Sequence, residues 1–176
     1  MRDPPQHRQP MVEEPARPRS ILEDLRQTRP FHSRGQEAYL ALVRTADDAK
    51  RGIARVLDSE GITLQQYNVL RILRGAGEGG VPTLTIGERM VERTPGVTRI
   101  LDRMEKKGWV VRRRCTEDRR RVWCRISEDG LKVLDRLEEP VREHDRSLTA
   151  VLDPEELDAL IGALDRLREH FRDDEE

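Results

Sequence analysis

Arginines at helical spacing, followed by an arginine-rich turn, are the residues with the clearest chemistry in this chain. Arg99 and Arg103 are four residues apart, so a helix would present both on one face. Arginine is the bidentate partner of guanine in the major groove of DNA. The turn at residues 118–121, Asp-Arg-Arg-Arg, adds guanidinium groups of the kind that a narrow minor groove attracts. These spacings predict a surface that binds double-stranded DNA.

The charge distribution fits a local polyanion-binding surface, although the 176-residue chain has a formal net charge of only −1. Residues 93–125 contain 12 basic and 4 acidic side chains, whereas residues 126–176 contain 7 basic and 17 acidic ones. A basic block attracts polyanions locally whatever the total charge is. The alternative is a solvated basic face that pairs with the acidic C-terminal segment.

A helix over residues 94–107 is predicted to position the two arginines. Thr94 is expected to cap it and Pro95 to occupy its first position, with Gly108 ending it. Small residues at its start, Thr94 and Gly96, allow close approach to a duplex, and the helix N-terminus offers N–H groups to phosphate. Its outward face carries Thr98, Arg99, Asp102, Arg103 and Lys106, and its inward face carries Val97, Ile100, Leu101 and Met104.

The neighbouring elements predict a winged helix-turn-helix. A short helix at about 84–91 and a tight turn near residues 92–93 precede the arginine helix. Two β-rich runs, from Trp109 to Arg114 and over 122–126, flank the charged turn and predict a hairpin wing. Residues 75–80, which include four glycines, are expected to form a loop.

Three long helices, over 36–58, 128–151 and 154–172, flank this unit and carry apolar residues at spacings of three and four. Pro140 is expected to kink or split the second of them. One subunit cannot bury all three apolar faces, which favours a homodimer with a partner helix bundle. The predicted fold class is therefore mainly α: a winged helix-turn-helix with a small β-hairpin wing and long N- and C-terminal dimerisation helices.

Three motifs resemble a known family. Residues 93–112, RTPGVTRILDRMEKKGWVVR, resemble the recognition helix and first wing strand of MarR-family transcriptional regulators. Asp118-Arg119-Arg120 is similar to the Asp-Arg-Arg wing of that family. Residues 126–130, ISEDG, resemble its junction into the next helix. The resemblance covers roughly residues 36–172.

The resemblance implies a homodimer whose two winged helices bind a palindromic operator. It implies that Arg120 enters the minor groove and that Asp118 orients the wing through a salt bridge. It also implies a repressor that is released from DNA by small ligands, often phenolic or anionic, or by cysteine oxidation. Oxidation-sensing members carry their cysteine in the first helix, whereas this chain has none between residues 36 and 58.

Several further residues are candidates for regulation. Tyr39, Tyr67 and His144 are candidate effector-binding residues, with packing in a core or dimer seam as the alternative role for each. Cys115 and Cys124 are equidistant from the centre of the wing turn. A facing pair would form a redox switch, and two packed, reduced thiols are the alternative.

Other function classes find little support in the sequence. No apolar run reaches the roughly 18 residues of a membrane helix, and two cysteines do not make a disulfide framework, so we expect a cytoplasmic protein. We find no catalytic constellation and no zinc-ligand spacing, and we therefore expect neither enzymatic activity nor a metal or other cofactor.

The predicted organisation has four parts. Residues 1–33, which contain six of the ten prolines, are expected to form a Pro-rich, mostly disordered arm. An N-terminal dimerisation helix is expected at 34–62 and the winged helix-turn-helix at 63–126. C-terminal dimerisation helices are expected at 127–176. The predicted function is sequence-specific transcription regulation by a homodimer, with double-stranded DNA and a small-molecule effector as partners. The alternative is a winged-helix protein-interaction module that docks an acidic protein.

Overall fold

The computed structural model describes residues 19–92, 95–114 and 121–173, which form a mainly helical chain with one small sheet. These residues divide into two units within one helix, the first ending at Ala46 and the second beginning at Asp47. The helices are α1 (Ile21–Asp24), α2 (Arg34–Asp58), α3 (Leu64–Ala76), α4 (Thr83–Arg89), α5 (Val97–Lys106), α6 (Glu128–Thr149) and α7 (Pro154–Asp173). The strands are β1 (Val81–Pro82), β2 (Val110–Arg114) and β3 (Val122–Ile126).

Side-chain caps define the starts of α3 and α6. Thr63 accepts a hydrogen bond from the backbone N–H of Gln66, and the side chain of Gln66 accepts one from the N–H of Thr63. Ser127 caps α6 by accepting from the N–H of Gly130. These caps satisfy backbone donors that the first helical turn leaves without an intrahelical partner.

The start of α5 is where the prediction is wrong. Pro95 lies in a turn, and Gly96 precedes the helix with a left-handed backbone, φ +100°. A residue in that conformation cannot belong to a right-handed helix, so α5 begins at Val97 and not at the Thr94-Pro95 pair. Thr94 itself lies outside the described residues.

The sheet has one more strand than the sequence indicates. Its order is β1-β3-β2, and both pairings are antiparallel. The two residues of β1 are too few to show an alternating pattern. Gly80 directly precedes β1 and has a φ of +67°. A Cβ added to Gly80 would lie 2.5 Å from the carbonyl oxygen of Cys124. The predicted glycine loop is also shorter, since α3 continues to Ala76 and residues 77–79 form a 3-10 turn.

A core of aliphatic side chains fixes the helix-turn-helix against the sheet and α6. Its fully buried members come from the end of α2, from α3, α4, α5, β2 and β3, and from α6: Leu57, Val69, Leu70, Leu73, Ile86, Leu101, Met104, Val110, Cys124, Leu134 and Leu137. Leu101 and Met104 belong to the predicted inward face of α5. This packing determines which face of α5 remains in solvent.

The long helices keep apolar side chains on their surfaces. Leu160, Ile161, Leu167 and Phe171 of α7 are all exposed, and no residue of α7 is fully buried. In the first unit, Tyr39, Leu42 and Val43 of α2 are exposed as well. Pro140 does not split α6, which is one helix of 22 residues. No helix in the described part of the chain is long and apolar enough to cross a membrane.

Candidate nucleic-acid interface

The solvent-facing side of α5 is polar and basic. Thr98, Arg99, Arg103 and Lys106 are exposed, while Val97 and Ile100 pack against the core. Gly96 is exposed at the start of the helix, and space for a Cβ there is open. The helix therefore presents two arginines, a threonine and a lysine to solvent, which fits the predicted DNA-reading face.

The two acidic residues of α5 both bind one arginine of the wing. The guanidinium of Arg112 in β2 donates to Glu105 from Nε at 2.9 Å and from Nη2 at 2.5 Å, and Nη2 lies 2.7 Å from Oδ1 of Asp102. The Arg112 side chain is 22% exposed. The hydrogen bonds that Arg112 donates to Glu105 raise the pKa of the guanidinium above its usual value. This cluster joins α5 to the wing and offsets part of the negative charge next to the basic face.

Further arginines lie on the two wing strands. Arg113 and Arg114 are exposed at the distal end of β2, and Arg125 is exposed on β3. Arg113 pairs in register with Trp123, and Arg114 pairs with Val122. The strands thus carry positive charge toward residues 115–120, which contain the predicted wing-tip residues Asp118, Arg119 and Arg120 and lie outside the described residues.

Contacts from two other helices hold the turn that precedes α5. The backbone N–H of Val91 donates to Oδ1 of Asn68 in α3 at 2.9 Å. The Glu92 carboxylate lies 2.7 Å from Nζ of Lys50 in α2 and 3.5 Å from Nε2 of Gln65 in α3. The turn that leads into the arginine helix is therefore anchored to both α2 and α3.

The junction between the wing and α6 is tightly packed at Gly130. A Cβ on this residue would lie 2.4 Å from the carbonyl oxygen of Trp109 and 2.8 Å from Cγ1 of Ile126. Ser127 reinforces the junction by donating from Oγ to the carbonyl of Gly108 at 2.6 Å. Only glycine lets the first turn of α6 approach the base of the hairpin this closely.

The structure does not support a facing cysteine pair across the wing. Cys124 is fully buried, and its cross-strand partner is Arg112. Burial raises the pKa of the Cys124 thiol, an effect partly offset by its hydrogen bond with Thr83. A buried thiol with a raised pKa is poorly reactive. Cys115 lies outside the described residues.

One of the three candidate effector residues lines a cavity. The cavity has a volume of about 460 Å³ and includes Tyr67 in its wall. His144 lies outside that wall, and Tyr39 belongs to the first unit, where it is 64% exposed. His144 instead packs over Gly52 of α2, where an added Cβ would be 2.6 Å from its Cε1 atom. The remaining lining residues are Lys50, Leu64, Gln65, Asn68, Arg71, Ile72, Arg89, Met90, Val91 and Glu92.

Three functional features of the interface are not predicted from the sequence. Arg112 stands among twelve basic residues, and nothing in its spacing marks it as the anchor of the wing. The Lys50–Glu92 pair joins residues 42 positions apart, and the Asn68 contact joins two elements that only the tertiary fold brings together. The glycine at position 96, directly after a proline, is the one local signal that a turn precedes α5.

A helix-turn-helix that leads into a two-stranded wing, with its basic face in solvent, defines a winged-helix DNA-binding protein. The model of the MarR family matches residues 62–122. The chain is 30% identical to a regulatory protein for the hcr operon of Thauera aromatica over 129 residues, which cover 73% of this chain and 75% of that protein. It therefore belongs to the MarR family of transcription regulators.

Two further similarities agree with this family. The crystal structure of a MarR transcription factor from Planctomyces limnophilus superposes with a TM-score of 0.61 at 39% identity, over 77% of this chain and 98% of that one. The homoprotocatechuate degradative operon repressor of Escherichia coli is 25% identical over 72% of this chain and 84% of its own length. These relatives are described as transcription regulators and not as enzymes.

Proposed function

We propose that this protein is a homodimeric repressor that binds a palindromic operator through α5 and the wing. Thr98, Arg99 and Arg103 contact base edges, and Thr94 and Gly96 allow the helix start to approach the backbone of the duplex. Asp118, Arg119 and Arg120 belong to the wing tip, where Arg120 enters the minor groove. The E. coli relative that represses a degradative operon supports the direction of regulation.

The observation that carries the proposal is the separation of charges around α5. Asp102 and Glu105 both engage Arg112, whereas Arg99 and Arg103 face solvent. The carboxylates of α5 are therefore turned toward Arg112, whose positive charge offsets part of their charge, while Arg99 and Arg103 remain available to the phosphates of a duplex. Phosphate contacts from such cations supply salt-dependent affinity, and arginine contacts to guanine supply specificity.

Apolar surface on the long helices supports the dimer. In α7, Leu160 and Ile161 are 45% and 49% exposed, and this helix of 20 residues buries no side chain fully. Contiguous exposed apolar side chains on an amphipathic helix favour association. We assign residues 34–62 and 127–176 to the dimerisation part, 63–126 to the DNA-binding part and 1–33 to an arm.

The cavity beside Tyr67 is the proposed effector site. Two basic residues, Arg71 and Arg89, line it together with apolar side chains such as Ile72 and Met90, while Lys50 pairs with Glu92 in the same wall. A pocket with an apolar wall and a few cations suits a small organic anion. Of the three effector candidates, Tyr67 is the one we retain for this pocket.

Family membership favours DNA over the alternative partner, an acidic protein docked on the same basic face. The relatives are described as transcription regulators, and we propose that this chain likewise acts by binding and not by catalysis.

The test is selection of bound duplexes from a random DNA pool, followed by titration of the selected sequence. Arg103→Ala and Arg99→Ala are each expected to weaken binding by about 1–3 kcal/mol, which is roughly 5- to 150-fold, and to relax the base preference at one position of each half-site. The physical reason is the loss of a bidentate contact with a base edge.

Arg166→Ala provides a matched control, because it removes the same charge from an exposed position on α7. We expect the control to bind within about twofold of the wild type. Recovery of no preferred sequence, or equal losses for all three variants, would contradict the proposed reading face.

A further inference from the structure

We propose that Lys50 is a positioning residue for DNA recognition, acting through Glu92 as a strut between α2 and the turn that starts the reading helix. This inference rests on the proposed function, because the property that the strut controls is the orientation of α5. Lys50 would not touch DNA itself. Its role is to hold the carboxylate that precedes α5.

The geometry of the Glu92 carboxylate supports a strut. One carboxylate oxygen lies 2.7 Å from Nζ of Lys50, and the other lies 3.5 Å from Nε2 of Gln65. These partners come from two different helices, α2 and α3. A carboxylate held from two directions has a defined position, and the backbone that carries it is restrained with it.

A second contact restrains the same turn through its backbone. The N–H of Val91 donates to Asn68 at 2.9 Å, although the Val91 side chain is 87% exposed. The Val91 side chain adds no apolar burial, so beyond the buried Met90 the restraint on this turn comes from polar contacts. Only four residues separate Glu92 from Val97, the first residue of α5. A shift at Glu92 would thus be transmitted to the start of the reading helix.

The strut contributes little to overall stability, which makes its positioning role separable from folding. The Lys50 and Glu92 side chains are 55% and 32% exposed. Ion pairs of this exposure contribute little to the free energy of unfolding, because solvent screens them. Removal of the strut should therefore change the conformation of the turn while the core remains folded.

The test compares Lys50→Met, Glu92→Gln and the double variant in the full-length protein. Hydrogen exchange at the amides of residues 90–92 is expected to be faster in each single variant than in the wild type. Specific DNA affinity is expected to fall about two- to fivefold, as the coupling of an exposed pair allows. The double variant should lose no more than either single variant, because the pair acts as one unit.

Glu92→Gln distinguishes positioning from simple electrostatics. The substitution makes the protein more positive, so a purely electrostatic effect would raise its affinity for any DNA. If the strut positions α5, Glu92→Gln should instead bind the selected sequence more weakly, and its ratio of specific to non-specific affinity should be lower than that of the wild type.

Lys132→Met is the matched control, because it opens an ion pair of similar length with Asp129, 2.9 Å, on the exposed surface of α6. It should leave both the exchange of residues 90–92 and the affinity ratio unchanged. Unchanged hydrogen exchange at residues 90–92 in Lys50→Met and Glu92→Gln would overturn the strut, whatever the DNA affinities of the two variants are. If the two variants exchange faster but the wild-type protein selects no DNA sequence, the strut is supported and the proposed function is contradicted.

Discussion

At the scale of single residues, basic side chains that look equivalent in the sequence have different roles. Arg112 lies between Asp102 and Glu105, whereas its neighbour Arg113 is exposed on the same strand. A guanidinium that donates to two carboxylates stabilises the folded wing, whereas an exposed one is available to a phosphate. Adjacent arginines of β2 therefore divide into an anchor and a candidate DNA contact.

This division predicts opposite results for two substitutions. Arg112→Gln should lower the free energy of unfolding by about 1–3 kcal/mol, because it leaves two carboxylates without their charged partner. Arg113→Gln should change stability by less than about 0.5 kcal/mol but reduce the salt dependence of DNA binding by about one unit of slope. Urea unfolding and salt titrations of binding measure the two effects. Equal stability of the two variants would contradict the anchor role of Arg112.

A second ion pair predicts an acid-sensitive contribution to stability. Arg136 of α6 donates to both carboxylate oxygens of Glu60, at 2.9 and 2.7 Å, and this hydrogen bonding lowers the pKa of Glu60. A lowered folded-state pKa gives stability above the unfolded-state pKa, and that stability is lost as pH falls through the lowered value. Glu60→Gln should therefore be less stable than the wild type at pH 7, and the difference should shrink as the pH falls below the ordinary pKa of a glutamate.

Thermal unfolding at pH 7, 5 and 3 measures this difference. Glu155→Gln, at the exposed start of α7, removes the same charge and should show no comparable loss at pH 7. A Glu60→Gln penalty that persists unchanged at pH 3 would show that packing, and not ionisation, is responsible.

At the scale of elements, close backbone approach decides how the wing meets α6. The first turn of α6 packs on the base of the hairpin at Gly130, beside the carbonyl of Trp109. The sequence resemblance marks this glycine as part of a motif, and the structure supplies the reason for it. A rigid backbone oxygen occupies the space that a side chain would need.

Gly130→Ala is accordingly expected to destabilise the protein by about 1–3 kcal/mol, the cost of forcing extra volume into a packed site. Gly75→Ala is the control, since Gly75 lies in the last turn of α3 with nothing within 4 Å of an added Cβ. The control should be neutral or stabilising by up to about 1 kcal/mol, because alanine favours helix more than glycine does. Denaturant unfolding of both variants distinguishes the two sites. Similar stabilities for both alanine variants would contradict the close approach at Gly130.

At the scale of the whole molecule, exposed apolar helix faces predict the assembly. Leu160→Asp combined with Ile161→Asp places charges on the apolar surface of α7, where a partner helix would have to bury them. We expect the wild type to sediment at twice its chain mass of 20.5 kDa and this variant to sediment as a monomer with weakened operator binding. Leu84→Asp, at an exposed position on α4, should leave the mass unchanged. A monomeric wild type would contradict the dimer.

Elements with strong local signals can be predicted from the amino-acid sequence alone. Thr63 and Ser127 mark their helices because side-chain caps act within three residues. The spacing of Leu101 and Met104 identifies the buried face of the reading helix because helical periodicity is a local property. The family motifs identified the class of regulator for the same reason, since they are continuous in the chain.

Contacts between residues that are distant in the chain become visible only in the folded protein. The short strand β1 forms because β3 is there to pair with it, and Val81 and Pro82 alone carry no strand pattern. The start of α5 moved from Thr94 to Val97 because Gly96 adopts a left-handed backbone that the Thr-Pro signal does not reveal. The partners of Arg112 and Glu92 lie on other elements, and the core packs those elements together. Contacts of this kind depend on the summed packing of the molecule, which no local pattern of residues encodes.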